Sequence, residues 1–156
     1  MAKPCVGGWI SGRGNGVLFR GRDFVPQVSY EAVEMAFTRI APLIRIFDEA
    51  KAKEFYAGFL GFKIDFEHRD SDNAPLYMQV SKGDCLLLLT EHHGGVSPGC
   101  AINIETDELE SFCEELNRKN YKYARPGIQE MPWGSKNMAI ADPFGNTITF
   151  TNAIST

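Results

Sequence analysis

From Ala41 onward the apolar and polar positions follow two alternating rhythms. Residues 42–47 (PLIRIF) form a short apolar run that stops at Asp48. After Asp48 the spacing becomes helical: Ala52, Phe55, Tyr56 and Phe59 fall at i, i+3, i+4 and i+7. Asp48 is the expected N-cap and Gly61 the expected stop. Residues 62–68 (FKIDFEH) and 76–81 (LYMQVS) read as strands, and Lys82-Gly83-Asp84 turns the chain into CLLLLT at 85–90. That last run is apolar on both faces, which predicts a central strand covered on both sides.

The same order then returns. AINIE at 101–105 predicts a strand, and Thr106 or Asp107 caps a helix over 108–119 that turns Leu109, Phe112 and Leu116 inward. Asn120 closes the helix, and strands are expected at 121–125 (YKYAR), 137–141 (NMAIA) and 147–151 (TITFT). The pattern predicts an α+β fold of two tandem β-α-β-β-β units with little identity between them. Residues 1–40 differ. Six glycines and four cationic side chains against one Asp occupy residues 1–27 without helical or strand period. The expected organisation is a Gly/Arg-rich N-terminal extension over 1–40, with a short helix at 29–39 capped by Ser29, and a domain over 41–153.

Composition removes several classes. Sixteen Lys and Arg against 20 Asp and Glu give a net charge of −4, which argues against a general nucleic-acid binder. The fragment Gly12-Arg-Gly-Asn-Gly16 lacks the strand and helix that a phosphate loop needs. No apolar stretch reaches the ~18–20 residues of a membrane helix, and the first residues lack the apolar core of a signal peptide. Cys5, Cys85, Cys100 and Cys113 lie far apart with no C-x-x-C pair, which fits reduced thiols in cytoplasm.

Several strings then agree with one family. Asp48-x6-Phe55-Tyr56-x3-Leu60-Gly61-Phe62, Pro42 six residues before Asp48, Leu60-Gly-Phe-x-x-Asp65-Phe66, Pro132-Trp-Gly134 and Asp142-Pro-x-Gly-Asn146 occur in order over about 41–152. The chain resembles the glyoxalase, bleomycin-resistance and extradiol-dioxygenase group, the vicinal oxygen chelate superfamily, and its bleomycin-resistance branch in particular. The resemblance implies a curved mixed sheet around a cleft, a homodimer, and in enzymatic members a divalent metal held by His and Glu on four strands. Carried over one by one, the metal positions fall on Ala41, Leu88, Cys100 and Thr149. None offers a carboxylate or imidazole, so no catalytic residue, metal or other cofactor is expected.

The function implied is metal-independent binding of a small aromatic or cationic molecule, an antibiotic among the candidates. The alternative is a lyase, isomerase or dioxygenase of the same superfamily with a displaced metal near His92, Glu91 or Glu130. Adjacent strand residues point to opposite faces, so His92 and His93 cannot both reach one ion unless the backbone turns there. The expected ligand contacts are Trp133 and Gly134, Asp65 and Phe66, Tyr77, Arg45 and Cys100. Trp133 offers a flat π-face on a loop. Its competing reading is core or dimer-seam packing, and for Asp65 and Phe66 it is a plain alternating strand. Arg45 shares parity with Ala41 and Leu43, and a buried cation there favours an anionic ligand.

Overall fold

The computed structural model describes residues 38–152. Strand β1 (Leu43–Arg45) leads into α1 (Glu49–Ala52), which continues as π-helical turns over Lys53–Phe59. Then follow β2 (Lys63–His68), β3 (Tyr77–Lys82) and β4 (Cys85–Thr90). The second set is β5 (Ala101–Glu105), α2 (Leu109–Arg118), β6 (Gln129–Glu130), β7 (Lys136–Ala141) and β8 (Thr147–Thr151). The strands form two four-stranded sheets of matching order, β1-β4-β3-β2 and β5-β8-β7-β6. In each, the first strand pairs in parallel with the last and the others are antiparallel. This is the α+β architecture of two β-α-β-β-β units.

Local chemistry explains the elements. The Asp48 carboxylate accepts the Lys51 amide at 2.8 Å and caps the first helix. Its far end is wide: the Leu60 amide donates to the Phe55 carbonyl, and Gly61 takes φ +75°, a left-handed turn that Gly adopts without strain. Asn120 closes α2 at φ +50°. Thr106 accepts the Glu108 amide at 3.2 Å, but the helix begins only at Leu109 and has no side-chain cap. The core joins the helix faces (Phe55, Tyr56, Phe59, Leu109, Leu116) to the sheet sides they cover (Ile44, Met78, Val80, Leu87, Leu89, Met138, Ile140, Ile148, Phe150). Strand β4 lies inside its sheet, with Leu86, Leu87, Leu89 and Thr90 buried.

One expected strand is absent. Residues 121–125 form a turn, with the Ala124 amide donating to Tyr121 O, and the third strand of the second unit is only Gln129–Glu130. Tyr121 stacks on Phe59 at 4.6 Å and meets Phe55 and Tyr123 at their edges. Aromatic packing on the first helix therefore outcompetes strand pairing here. The expected helix at 29–39 lies outside the described residues up to Phe37, and Thr38 and Arg39 are not helical.

Candidate functional site: the open faces of the two sheets

Each sheet has one face under a helix and one open face, and strand parity sorts the residues between them. On the first sheet Ile44, Met78, Val80, Leu87 and Leu89 join the core, so Leu43, Arg45, Tyr77, Gln79, Ser81, Leu86, Leu88 and Thr90 occupy the open face. Register aligns them in rows: Arg45, Thr90, Tyr77 and His68 form one, Leu43, Leu88, Gln79 and Phe66 the next.

A β-bulge shapes the outer edge. Pairing runs Ile64↔Val80 and then Phe66↔Gln79, leaving Asp65 without a partner on β3. The extra residue breaks strict alternation, so Asp65 and Phe66 both come to the open face. Gln79 Nε2 and Ser81 Oγ each donate to the Asp65 carboxylate at 3.0 Å. These two bonds, Gln79 first, hold the Asp65 carboxyl below its ordinary range. Phe66 is 44% exposed and stacks on Tyr77, with ring centroids 6.2 Å apart and planes inclined by 25°. Asp65 borders a hollow of 580 Å³, lined also by Arg39, Ile40, Gln79, Ser81 and Leu86.

Arg45 occupies the opposite edge strand. It is 9% exposed, and its guanidinium carbon stands 4.9 Å from the Phe47 ring centroid. Its Nη1 is buried and has no hydrogen-bond partner among the described residues.

The second open face carries Ala101, Asn103, Glu105, Asn137, Ala139, Ala141, Thr147, Thr149 and Thr151, and Asn137, Ala139 and Thr149 line a hollow of 540 Å³ together with Gln129 and Met131. Trp133 stands beside this face on the β6–β7 connection, 64% exposed. Its indole N–H donates to Ser135 Oγ at 2.8 Å, Ser135 donates to Asn137 Oδ1 at 3.2 Å, and Thr151 donates to that same oxygen at 2.8 Å. Gly134 makes the turn at φ +91°, and its amide donates to Met131 O. An indole tethered by its N–H with its face in solvent does not fit core packing. Trp133 has no ring contact with Phe66 or Tyr77, which belong to the other sheet.

Cys100 stands apart from this group. It packs against the core on the helix side, and burial, then nearby Asp142, pushes its thiol pKa up. Parity puts Ala101, not Cys100, on the open face of the second unit. The Asp142–Asn146 turn is a structural knot. Asp142 accepts Tyr56 Oη at 2.8 Å, while Asn146 donates to Arg45 O at 2.8 Å and accepts the Gly99 and Cys100 amides at 3.1 and 3.2 Å. It ties β1 of the first unit to the start of the second. Sequence reasoning missed Gln79, Ser81, Ser135 and Asn137, although parity places Gln79 and Ser81 beside Tyr77.

The superfamily's metal positions do not suit a cation. Leu88 opposes Leu43 and Gln79, Thr149 opposes Asn103 and Ala139, and Ala41 is an exposed methyl. Among the described residues no three His, Cys, Asp or Glu side chains converge. Glu91 is engaged elsewhere: its carboxylate accepts the Leu76 amide at 2.8 Å and pairs with Arg69 at 3.1 Å. The His92 amide donates to Thr90 Oγ1 at 3.1 Å.

Fold and sequence together define a class. A glyoxalase superfamily family model matches residues 27–156, well over half of the chain, and the chain belongs to that superfamily. The fold is that of the vicinal oxygen chelate proteins, and solved structures share it. A bleomycin resistance determinant encoded on the transposon Tn5 is similar over 76% of this chain and 100% of its own, at 23% identity and TM-score 0.60. The bleomycin-binding protein of Streptomyces verticillus, solved with copper(II)-bleomycin, is 26% identical over 77% of this chain and 99% of its own, TM-score 0.59. Another bleomycin-binding protein solved with bleomycin gives 22% identity, 76% and 100% coverage, and TM-score 0.58. No match is found among curated proteins.

Proposed function

We propose that this protein binds a small molecule with a flat aromatic part, without a metal and without chemistry, after the manner of the bleomycin-resistance proteins. The observation that carries the reading is the bulge at Asp65, which sets an anion beside the stacked Phe66 and Tyr77 on the sheet face opposite the helix. A π-shelf next to a carboxylate suits a planar molecule with a cationic substituent. Antibiotics of that kind are the expected class, since similar structures were solved with bleomycin. The poor donor set at Ala41, Leu88 and Thr149 supports metal independence.

Phe66 belongs to the first sheet and Trp133 to the β6–β7 connection of the second. A homodimer would let the Trp133 face of one copy close over the Asp65–Phe66 shelf of another, with two-fold pairing covering exposed sheet edges. Light scattering should then give about twice 17.4 kDa, and a 17.4 kDa species at micromolar concentration would contradict the dimer. The unpaired Cys85, Cys100 and Cys113 are consistent with a cytoplasmic setting. No helix among the described residues is long and apolar enough to cross a membrane.

A thermal-shift screen of planar aromatic compounds, bleomycin included, on chelator-treated protein tests the reading. A ligand at 100 Kd should add about 2.7 kcal/mol of stability. Stabilisation by none of them, or only after metal is restored, would count against it.

A further inference from the structure

The first open face ends, on β1, in a charge for which the described residues provide no counterion. Arg45 enters no ion pair among them, the residue is nine-tenths buried, and Nη1 is orphaned. Phe47 supplies a ring face beside the guanidinium but no acceptor. The nearby acids are used: Glu91 holds Arg69 and the Leu76 amide, and Asp142 holds Tyr56 and Asn146. A buried cationic donor without an acceptor is costlier than an unpaired neutral group, and buried charges in native proteins are normally matched. Thr90 opposes both Arg45 and Tyr77 in the register, so two hydroxyl-bearing residues share its row.

We infer that Arg45, with Thr90 and Tyr77 beside it, receives an oxyanion of the ligand, a carboxylate in the simplest case. A planar guanidinium presents paired N–H donors that match the two oxygens of such a group. The inference rests on the proposed binding function and narrows its ligand class to aromatic molecules that carry an acid. Three strand spacings of about 4.8 Å separate β1 from β2, and Asp65 lies beyond the Phe66 row, so the Arg45 and Asp65 backbones are more than about 14 Å apart. The acid and any cationic substituent therefore lie at opposite ends of the ligand.

The test uses three probes of equal ring size: naphthoate, neutral naphthylmethanol and cationic naphthylmethylamine. Each is titrated by fluorescence into the full chain. Naphthoate should bind about ten- to a hundredfold more tightly than naphthylmethanol, as a charge-assisted hydrogen bond implies. Arg45→Met should bring naphthoate down to the alcohol's affinity, and Arg45→Lys should retain part of the preference. Naphthoate binding no better than the alcohol to the wild type would overturn the inference even if the variants fail to fold. So would unchanged naphthoate affinity in a folded Arg45→Met. If all three probes bind alike and Phe66→Ala weakens them, the aromatic shelf stands and the Arg45 site does not. If naphthoate depends on Arg45 but not on Phe66, the reverse holds.

Discussion

The two sheets share strand order and pairing directions, yet their open faces differ in kind. The first presents Arg45, Asp65, Phe66, Tyr77 and Gln79; the second presents alanines, threonines, Asn103, Asn137, Gln129 and Glu105, with one tethered indole beside them. Beneath the helices both sheets use the same apolar vocabulary: Ile44, Val80 and Leu89 on one, Ile140, Ile148 and Phe150 on the other. Helix-side positions thus maintain the fold, while alternate positions are free to specialise, and only the first unit sets a cation and stacked aromatic rings on its face. The difference arises from strand parity and one bulge. It requires no change of topology.

The largest expected effect concerns what joins the units. Asn146→Ala strands the carbonyl of Arg45 and the amides of Gly99 and Cys100, all bound by its side chain. Urea unfolding should show a loss of about 1–3 kcal/mol, the cost of orphaning the buried Arg45 carbonyl, with a smaller share from the partly solvated Gly99 and Cys100 amides. A loss below ~1 kcal/mol would mean that packing alone joins the two units.

Trp133 asks whether the second face contributes to binding. With 64% of its surface exposed, Trp133→Ala should change stability by no more than ~0.5–1 kcal/mol. It should nonetheless weaken an aromatic ligand roughly ten- to several-hundredfold if the indole stacks on it. A stability loss of ~3–5 kcal/mol would instead make it a packing residue. Unchanged affinity would leave recognition entirely to the first sheet.

The smallest effect is electrostatic. The Asp65 carboxyl titrates below its usual 3.8 because Gln79 and Ser81 donate to it and Lys63 stands near. A carboxylate whose folded pKa lies below its unfolded value stabilises the fold above the unfolded value. That contribution fades as pH falls through the folded one. Asp65→Asn should therefore be slightly less stable than the wild type at neutral pH, and the difference should close as pH falls below about 4, which leaves the variant a flatter acid limb. An identical acid limb in wild type and variant would argue that the bonds to Gln79 and Ser81 do not persist in solution.

How far these features were legible depends on their range. Caps and periods are local, so Asp48, Gly61, Asn120 and most strands could be read directly. The strand expected at 121–125 failed because Tyr121 is drawn onto Phe59, 62 residues earlier, and spacing is blind to that partner. The bulge was hidden because residues 62–68 alternate well, and only pairing with β3 reveals that Asp65 is the extra residue. Cys100 was placed one position from Ala101, the residue whose parity faces outward. Asp142 and Asn146 stood out as a family turn, but their bonds to Tyr56 and Arg45 cross the chain by 86 and 101 residues.

The central claim is that the Asp65–Phe66–Tyr77 shelf binds flat molecules without a metal. Its most direct measurement is a fluorescence titration of naphthylmethanol into chelator-treated protein, wild type beside Phe66→Ala. The account predicts one dissociation constant before and after chelation and a roughly tenfold weaker one in the variant. Binding that vanishes on chelation and returns with a divalent ion, or that ignores Phe66→Ala, would contradict it.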